Sequence, residues 1–554
     1  MTYSHTYNNH TYNNISHTYT YNNMKKLLTV IVLAGIAVSA FAQLQFTPER
    51  KLRYAEQIIE NYYVDNVDTT KIVTEAIVAM LKTLDPHSTY SSPEETKELT
   101  EPLEGNFSGI GIRFQMVNDT LYVIESVAGG PSEKMGIIPG DRIIACNDTV
   151  IAGVKKKNTD IMKVLRGPKG PVANLKVLRK GVAEPLEFRV VRDDIPIYSV
   201  EVAYMVNDSV GYISLSRFAE NTTEEVKEAM NKLRGQGMRH LIFDLTDNGG
   251  GYMRPATELS EMFLDRGDMI VYTESPKNGT AEYVAETRGD FRDGRVVVMV
   301  NQYSASASEI LSGALQDNDR GVIVGRRTFG KGLVQRPFPF PDGSMMRLTV
   351  SRYHTPSGRC IQKPYVDGDD EAYRLDMLNR YNSGEFMSAD SIHQFPDSLK
   401  FYTKRLHRPV YGGGGIMPDK FVAIDTTMYS DYYRDLIAKG VINNFCVNYV
   451  DKNRAEIKKL YPTDNDYVKN FPVTAELMQG VIDLGTKEGV EYKAEEYEKS
   501  RPILESIVKG LIGRDIYEQA TYSKVVSRFD PIFSEALEII SDPSLYDSYF
   551  SPGK

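Results

Sequence analysis

The sequence predicts a multidomain α/β (α+β) protein, and three observations carry this prediction. Residues 48–103 repeat apolar side chains with a helical period. From Gly105 onward, short β-type runs alternate with glycine-rich turns. Residues 195–362 then alternate apolar strands with helices, which is the pattern of an α/β core. With 554 residues, the chain is long enough for about three or four domains.

The first 42 residues have the features of a leader followed by an export signal. Residues 1–23 are a degenerate repeat rich in Tyr, Asn, Thr and His, which we interpret as a leader outside the mature protein. Lys25 and Lys26 precede an apolar run, and Ala40-Phe41-Ala42 fits a cleavage site. Residues 24–42 therefore predict a signal peptide cleaved after Ala42. We expect an exported, periplasmic or cell-envelope protein without a stable transmembrane anchor.

The composition excludes several function classes. A net charge of −9 and the lack of a basic tract argue against a nucleic-acid partner. The three cysteines are widely spaced and form no C-x-x-C pair, and no H-E-x-x-H is present. The sequence therefore predicts no metal site and no cofactor.

Residues 103–193 contain short strands, one helix and two glycine-containing turns. Gly109-Ile110-Gly111-Ile112 precedes a strand, and Gly136–Asp141 forms a turn before a later one. A glycine-rich turn exposes backbone N–H groups to a terminal carboxylate, and the edge of the next strand can pair with an extended peptide. The segment resembles a PDZ domain, and we expect Gly109, Ile110, Gly111 and Ile112 to contact a peptide.

The remainder divides into a predicted core and a helical extension. Residues 194–425 form the α/β core, interrupted by a polar insertion at 363–410 without a clear period. Two loops of this core, Thr246–Gly251 and Gln302–Ser306, follow predicted strands, where α/β enzymes usually hold their reactive groups. Residues 426–554 are charge-rich and helical, and we interpret them as a separate extension.

Between Ser304 and Gln335 the chain brings three complementary groups together. Ser306 supplies a hydroxyl, Lys331 an amine and Gln335 an amide. A serine becomes a nucleophile when a neighbouring base takes its proton. Lysine serves as that base when burial or neighbouring charges hold part of it neutral. The block predicts a serine–lysine hydrolase site, with Gln335 orienting the amine.

Other interpretations of these patterns stay open at this point. Ser306-Ala-Ser-Glu309 also matches a helix capping box. Gly325–Lys331 has the spacing of a phosphate-binding loop, but Gly332 stands where Ser or Thr would hold magnesium. A Ser-His-Asp triad is an enzymatic alternative, although no histidine has a triad signature. Ser506-Ile-Val-Lys509 fits S-x-x-K but lacks its companion motifs.

Six motifs follow one another along the chain. They are Leu84-Asp-Pro-His-Ser88, Gly109-Ile-Gly-Ile112, Asp244-Leu-Thr-Asp-Asn-Gly-Gly-Gly251, Ser304-Ala-Ser-Ala-Ser-Glu309, Thr328-Phe-Gly-Lys-Gly332 with Gln335, and Thr355-Pro-Ser-Gly-Arg359. This order resembles the carboxyl-terminal processing (tail-specific) protease family over residues 48–362 and again at Gly415–Asp419.

The resemblance implies a role for each matching residue. Ser306 is the implied nucleophile, Lys331 the general base and Gln335 the amide that orients it. Backbone N–H groups of Gly250, Gly251 and Ala307 are the implied oxyanion hole. Two positions depart from the family pattern, because Thr246 replaces its arginine and Gly249 its proline.

The implied function is an exported serine endopeptidase that recognises C-terminal tails through its PDZ domain. Its partners would be proteins or peptides with apolar tails, and an adaptor or activator and a homo-oligomer are possible additions. The non-enzymatic alternative is a PDZ scaffold that binds tails without cleaving them.

Overall fold

The computed structural model describes residues 1–2, 24–26, 47–277, 279–389 and 396–551. Most of the predicted leader and signal peptide therefore lies outside the described residues. The chain divides into two compact units, residues 1–80 and 81–554. Helix α1 (Pro48–Tyr62) is capped by the Thr47 side chain, and α2 (Thr69–Lys82) follows it. No helix in the described ranges is both long and apolar enough to cross a membrane.

The region predicted as a PDZ domain folds around a small antiparallel sheet. Its strands are ordered β3-β4-β5-β7-β8, with β6 beside β5, while β2 and β9 form a separate ribbon. Among the described residues, β3 pairs only with β4, so its other edge is unpaired. In chain order, the elements from the start of the second unit are β1 (Thr89–Ser91), α3 (Pro93–Glu104), β2 (Asn106–Gly109), β3 (Ile112–Val117), β4 (Thr120–Ser126), α4 (Pro131–Lys134), β5 (Arg142–Cys146), β6 (Thr149–Val150), α5 (Asn158–Leu165), β7 (Val172–Leu178), β8 (Leu186–Val191) and β9 (Asp193–Pro196).

A six-stranded sheet forms the centre of the predicted core. Its strands are ordered β10-β11-β12-β15-β16-β21, where β21 is Lys420–Phe421. The pair β10 and β11 is antiparallel, and the other neighbouring pairs are parallel. Every residue of α8 is buried. The bounds are β10 (Val200–Met205), β11 (Val210–Leu215), α6 (Thr222–Gly235), β12 (His240–Asp244), α7 (Met253–Glu261), β13 (Met269–Ser275), β14 (Gly279–Val284), β15 (Val296–Val300), α8 (Ala307–Asp317), β16 (Val322–Gly325), β17 (Leu333–Pro339) and β18 (Met345–His354).

A second sheet of the core includes β1, a strand that precedes the small β-domain in the chain. Its order is β1-β18-β13-β14, with β17 also paired to β18. Residues 84–88 lead into β1, and Thr89 pairs with Arg347 of β18. A three-residue strand has too few side chains to show a period of two, so no pattern of residues predicts it.

The predicted insertion at 363–410 is more ordered than its polar composition suggested. It contains α9 (Asp370–Asn382), β19 (Lys400–Tyr402) and β20 (Pro409–Tyr411), and the core resumes with β21 (Lys420–Phe421). Arg408 bonds Asp319 at 2.7 Å and Asp419 at 2.6 Å. Charged pairs of this kind help to hold the segment to the core, and they leave no hydrophobic period in the sequence.

The helical extension is joined to the rest of the second unit at two places. Helix α16 packs Ile532, Phe533 and Ile539 onto the central sheet. Elsewhere Val447 joins an apolar cluster of the small β-domain, and Arg142 bonds Asp451 at 3.1 Å. The helices are α10 (Asp431–Ala438), α11 (Val441–Leu460), α12 (Asp464–Asn470), α13 (Ala475–Lys487), α14 (Ala494–Ile516), α15 (Gln519–Val526), α16 (Pro531–Ser541) and α17 (Pro543–Ser548).

A fully buried ion pair ties the end of α8 to the loop after β18. Both side chains of Arg359 and Asp317 have no solvent exposure, and they bond at 2.7 Å. Removing one partner leaves a buried charge without compensation. We expect Arg359→Met to lower the free energy of unfolding by about 3–5 kcal/mol. Urea unfolding followed by circular dichroism suits this chain, which contains no tryptophan.

Arg352 provides the matched control for this prediction. It lies on β18 and is exposed, so Arg352→Met should change the free energy of unfolding by less than about 0.5 kcal/mol. Equal effects of the two substitutions would contradict a special contribution from the buried pair.

Candidate active site

Ser306 occupies a strained position between β15 and α8. It is the residue before the first turn of α8, with φ 55° and ψ −112°. A non-glycine residue at positive φ costs about 1–3 kcal/mol, and such residues concentrate at functional sites. The central sheet fixes this geometry, because Ala305 N–H donates to the Asn248 carbonyl and Ser304 Oγ to the Leu245 carbonyl. Ser306 is thus presented at the carboxyl end of the parallel strands.

Lys331 and Gln335 face the same cleft as Ser306. Lys331 Nζ donates to Gln335 Oε1 at 2.9 Å, and the Gln335 amide nitrogen donates to the His87 carbonyl. Burial, followed by repulsion from Arg347, lowers the pKa of Lys331 to about 8. In the described structure the amine is bonded to Gln335 and not to Ser306. An amine of this pKa is partly neutral near neutral pH, as a general base requires.

The buried carboxylate of Glu309 connects the serine segment to the lysine segment. Glu309 Oε1 accepts from Thr328 Oγ1 (2.5 Å) and Gly330 N–H (2.7 Å). Glu309 Oε2 accepts from Ser306 N–H (2.8 Å) and Lys331 N–H (2.9 Å). Burial raises the pKa of this carboxyl, while the four donors favour its ionised form. The capping box predicted from Ser306 and Glu309 is therefore part of the site.

Sequence reasoning gave Glu309 only the role of a helix cap. The link to Gly330 and Lys331 crosses more than twenty positions of the chain, and no local pattern signals it. The same link decides against the phosphate-loop interpretation, because the Gly330 and Lys331 N–H groups already donate to a carboxylate. An anion such as phosphate would meet a buried negative charge there.

The cleft that contains Ser306 and Lys331 has a volume of about 530 Å³. Helix α3 contributes Leu99 and Leu103 to its wall, and β18 contributes Met345 and Arg347. Helix α3 leads directly into the small β-domain, so that domain is connected to the cleft through one helix. This wall was not predicted, since the helical period of residues 93–104 does not reveal what the helix packs against.

The predicted oxyanion donors differ in their availability. Gly250 N–H donates to Asn248 Oδ1 at 2.9 Å, so in this conformation it is not free to bind an oxyanion. Ala307 is the first residue of α8, where the backbone N–H has no partner within the helix. Gly251 packs against Phe218, with which it forms a parallel bridge. The donor roles of Gly251 and Ala307 remain predictions.

Gly250 lies against the serine in a way that permits no larger residue. A Cβ there would come within 2.8 Å of Ser306 Cβ and 2.9 Å of Ala307 N, at φ +97°. We expect Gly250→Ala to lower kcat by at least about 10²-fold, since a displacement of about 1 Å can cost this much. The measurement is steady-state hydrolysis of a fluorogenic peptide.

Gly249→Ala is the neighbouring control. A Cβ at Gly249 would have no atom within 4 Å, and its φ lies outside the left-handed region. We expect this variant to keep the wild-type rate within about threefold. A normal rate in Gly250→Ala would contradict close packing of the loop on Ser306.

The predicted peptide-binding loop lies at the start of β3. The Ile110 carbonyl accepts from Ser132 N–H and Oγ, so the Gly111 N–H of the same planar peptide unit points the opposite way. Gly111 has φ +73°, which favours glycine. Gly109 ends β2, and Ile112 begins the β3 edge strand. Loop and free edge together have the arrangement that strand addition needs.

No described histidine lines the cleft that contains Ser306, so these residues do not support a Ser-His-Asp triad. His87 Nε2 bonds Tyr373 Oη, and burial lowers the pKa of His87 to about 4. His354 stacks on Tyr272. Ser506, from the S-x-x-K match, donates to the Val525 carbonyl inside the helical extension. Lys331 is the amine that shares the cleft with a strained serine.

Comparison with known proteins identifies the family of this chain. The sequence model of peptidase family S41 matches residues 209–372, and that of the PDZ domain matches residues 108–190. A probable CtpA-like serine protease of Staphylococcus epidermidis is 33% identical over 342 residues, covering 61% of this chain and 68% of the relative. This chain belongs to the carboxy-terminal processing protease family, within peptidase family S41. It is therefore a carboxy-terminal processing serine protease with a PDZ domain.

A second relative shows the same family relationship. The carboxy-terminal processing protease CtpB of Bacillus subtilis is 34% identical, covering 60% of this chain and 70% of the relative. Among solved structures, the photosystem II D1 C-terminal processing protease is 28% identical with a TM-score of 0.33, covering 58% of this chain and 92% of that one. Residues 432–518 match a family of unknown function, DUF8443. The predicted fold class, with a PDZ domain, a protease core and a helical region, is confirmed.

Proposed function

We propose that this carboxy-terminal processing protease is an exported endopeptidase that uses a Ser306–Lys331 dyad and binds protein tails in its PDZ domain. One observation carries the dyad. The buried Lys331 amine, with its pKa lowered to about 8 and its direction set by Gln335, lies in the same cleft as a serine at positive φ. Burial of the Lys331 amine and backbone strain at Ser306 each lower the stability of the fold. A catalytic role explains both features better than a structural role does.

The proposed reaction has two acyl-transfer steps. The neutral Lys331 amine takes the Ser306 hydroxyl proton as Oγ attacks the peptide carbonyl. Collapse of the tetrahedral intermediate breaks the C–N bond, and protonated Lys331 returns the proton to the leaving amine. The same amine then deprotonates a water molecule, which hydrolyses the ester and restores Ser306. We assign stabilisation of the oxyanion to the N–H groups of Gly251 and Ala307, a contribution of about 10²–10³ in rate per donor.

Substrate recognition is assigned to the PDZ domain. The Gly109–Ile112 loop would take the terminal carboxylate, and the free edge of β3 would pair with an apolar tail. Binding energy from this remote contact would position the scissile bond. Within this proposal the domains keep the predicted bounds of 103–193 for the PDZ domain, 194–425 for the protease core and 426–554 for the extension. An activator and a homo-oligomer belong to the same proposal.

The peptidase proposal is tested by incubating the purified chain with an unfolded protein that has an apolar C-terminus. We expect fragments on a gel from the wild type and none from Ser306→Ala. A matched substrate with a charged C-terminus should be cleaved more slowly, because its tail does not suit the PDZ groove. Binding without cleavage by both proteins would instead support the tail-binding scaffold.

Export is tested separately from catalysis. Expression of the full chain in a Gram-negative host should yield a mature protein in the periplasm whose first residue is Gln43, by N-terminal sequencing. A cytoplasmic protein that retains residues 24–42 would contradict the signal peptide.

A further inference from the structure

The charged residues that line the cleft around Ser306 and Lys331 are mostly basic, whereas the protein as a whole has a negative net charge. Among the described residues that line the cleft, the charged side chains are Arg217, Lys331, Arg347 and Glu98. Three are basic and one is acidic, although the net charge of the chain is −9. A locally positive cleft in an acidic protein attracts negatively charged groups and raises their local concentration.

Arg347 has no anionic partner among the described residues. It lies on β18, whose neighbours at this position are Thr89 of β1 and Pro337 of β17. Its Nε is buried without a hydrogen-bond partner, and its Nη2 reaches Thr89 Oγ1 only at 3.5 Å. The guanidinium therefore has N–H groups that donate to no acceptor among the described residues. A buried donor without a partner costs about 1–3 kcal/mol, so its presence in a cleft needs an explanation.

The groups around Arg347 do not supply that partner. Lys331 and His87 lie close enough to Arg347 for its charge to lower the pKa of each, and neither carries a negative charge. Asp85 lies two positions before His87 in the sequence. Its carboxylate oxygens already accept from the N–H groups of His87 and Ser88 and from the hydroxyls of Ser88 and Thr349. Asp85 is thus satisfied by its own loop and by β18.

We propose that Arg347 is a specificity residue that binds an acidic side chain of the substrate next to the scissile bond. Guanidinium and carboxylate fit each other with two parallel hydrogen bonds, which an amide or a hydroxyl cannot match. The preference concerns the reacting segment, and it is separate from the apolar tail taken by the PDZ domain. The proposal rests on the proposed peptidase function, because it assigns the substrate of the same cleft.

The test uses fluorogenic peptides with one shared apolar tail and one scissile bond. They differ by Glu or Gln at a single position, scanned over the residues on either side of the bond. For wild type we expect kcat/KM to be at least about tenfold higher with Glu than with Gln at one position. Arg347→Met should reduce this ratio to near one, and Arg347→Lys should retain part of it.

Two further variants show whether the ratio belongs to Arg347. Arg336→Met removes the same charge from an exposed residue of the neighbouring strand, so it should keep the wild-type ratio. A ratio near one at every position in wild type would overturn the proposal. So would a ratio that survives in Arg347→Met and disappears in Arg217→Met.

A binding measurement keeps this inference independent of turnover. In Ser306→Ala, fluorescence anisotropy of the same labelled peptides should show tighter binding of the Glu peptide, and the added Arg347→Met substitution should remove the difference. If wild type cleaves no peptide, the proposed peptidase function fails, while the affinity ratio still decides the role of Arg347. Circular dichroism of Arg347→Met and Arg347→Lys verifies folding.

Discussion

Replacing Lys331 with methionine should abolish peptide hydrolysis and leave the protein folded. The side chain keeps its length but loses the amine that deprotonates Ser306, so we expect kcat/KM to fall by at least about 10³-fold. The measurement is hydrolysis of a fluorogenic peptide with an apolar tail. Lys227→Met, which removes an exposed lysine of α6, should keep the wild-type rate. More than a tenth of wild-type activity in Lys331→Met would refute the dyad.

The pH dependence of the wild type follows from the same amine. Burial lowers the pKa of Lys331 from its ordinary value of 10.5 to about 8. Only the neutral amine accepts a proton, so kcat/KM should rise with pH through about 8 and then level off. A rate that falls across this interval would contradict a neutral lysine base.

Stability supplies an independent check on Lys331. Between pH 8 and 10.5 the unfolded chain binds more protons at this residue than the folded chain, so its contribution to stability becomes more favourable as pH rises. Below pH 8 both states are protonated, and the cost of burying the charge is then at its greatest. Lys331→Met should therefore be more stable than wild type at pH 7, with the difference shrinking above pH 8. A less stable variant would point to a structural role for the amine.

Glu309→Gln should impair both activity and stability, since one carboxylate holds the segments that carry Ser306 and Lys331. Each carboxylate oxygen of Glu309 accepts from two donors, and at least one of the two is a backbone N–H. The amide nitrogen of glutamine must face at least one of these N–H groups. We expect the free energy of unfolding to fall by about 2–4 kcal/mol and kcat by at least about 10²-fold.

A pH profile separates the electrostatic effect of Glu309 from its effect on geometry. The negative charge of Glu309 raises the pKa of Lys331, so its removal should move the rise in kcat/KM to a pH below about 8. Glu224→Gln, on the exposed first turn of α6, is the control and should alter neither quantity. Wild-type stability in Glu309→Gln would show that the four hydrogen bonds contribute little.

The sequence predicted the elements that have a strong local signal. The pattern of residues predicts a helix from Thr223 to Gly235, and α6 begins at Thr222. Asp342-Gly343 predicts a turn, and this turn separates β17 from β18. Strand β1 and the elements of the 363–410 insertion were not predicted. Their places depend on pairing with β18 and on ion pairs with the core, and neither leaves a periodic pattern in one segment.

Family membership and the chemical groups of the site follow from the sequence alone, because Ser306, Lys331 and Gln335 stand at fixed separations in ordered motifs. Tertiary structure alone decided how these groups are used. Folding buries Lys331 and thereby lowers its pKa, joins two distant loops on Glu309, and leaves Arg347 in the cleft without an anion. Burial, charge proximity and unmatched hydrogen bonds arise between segments far apart in the chain, so no local pattern of residues encodes them.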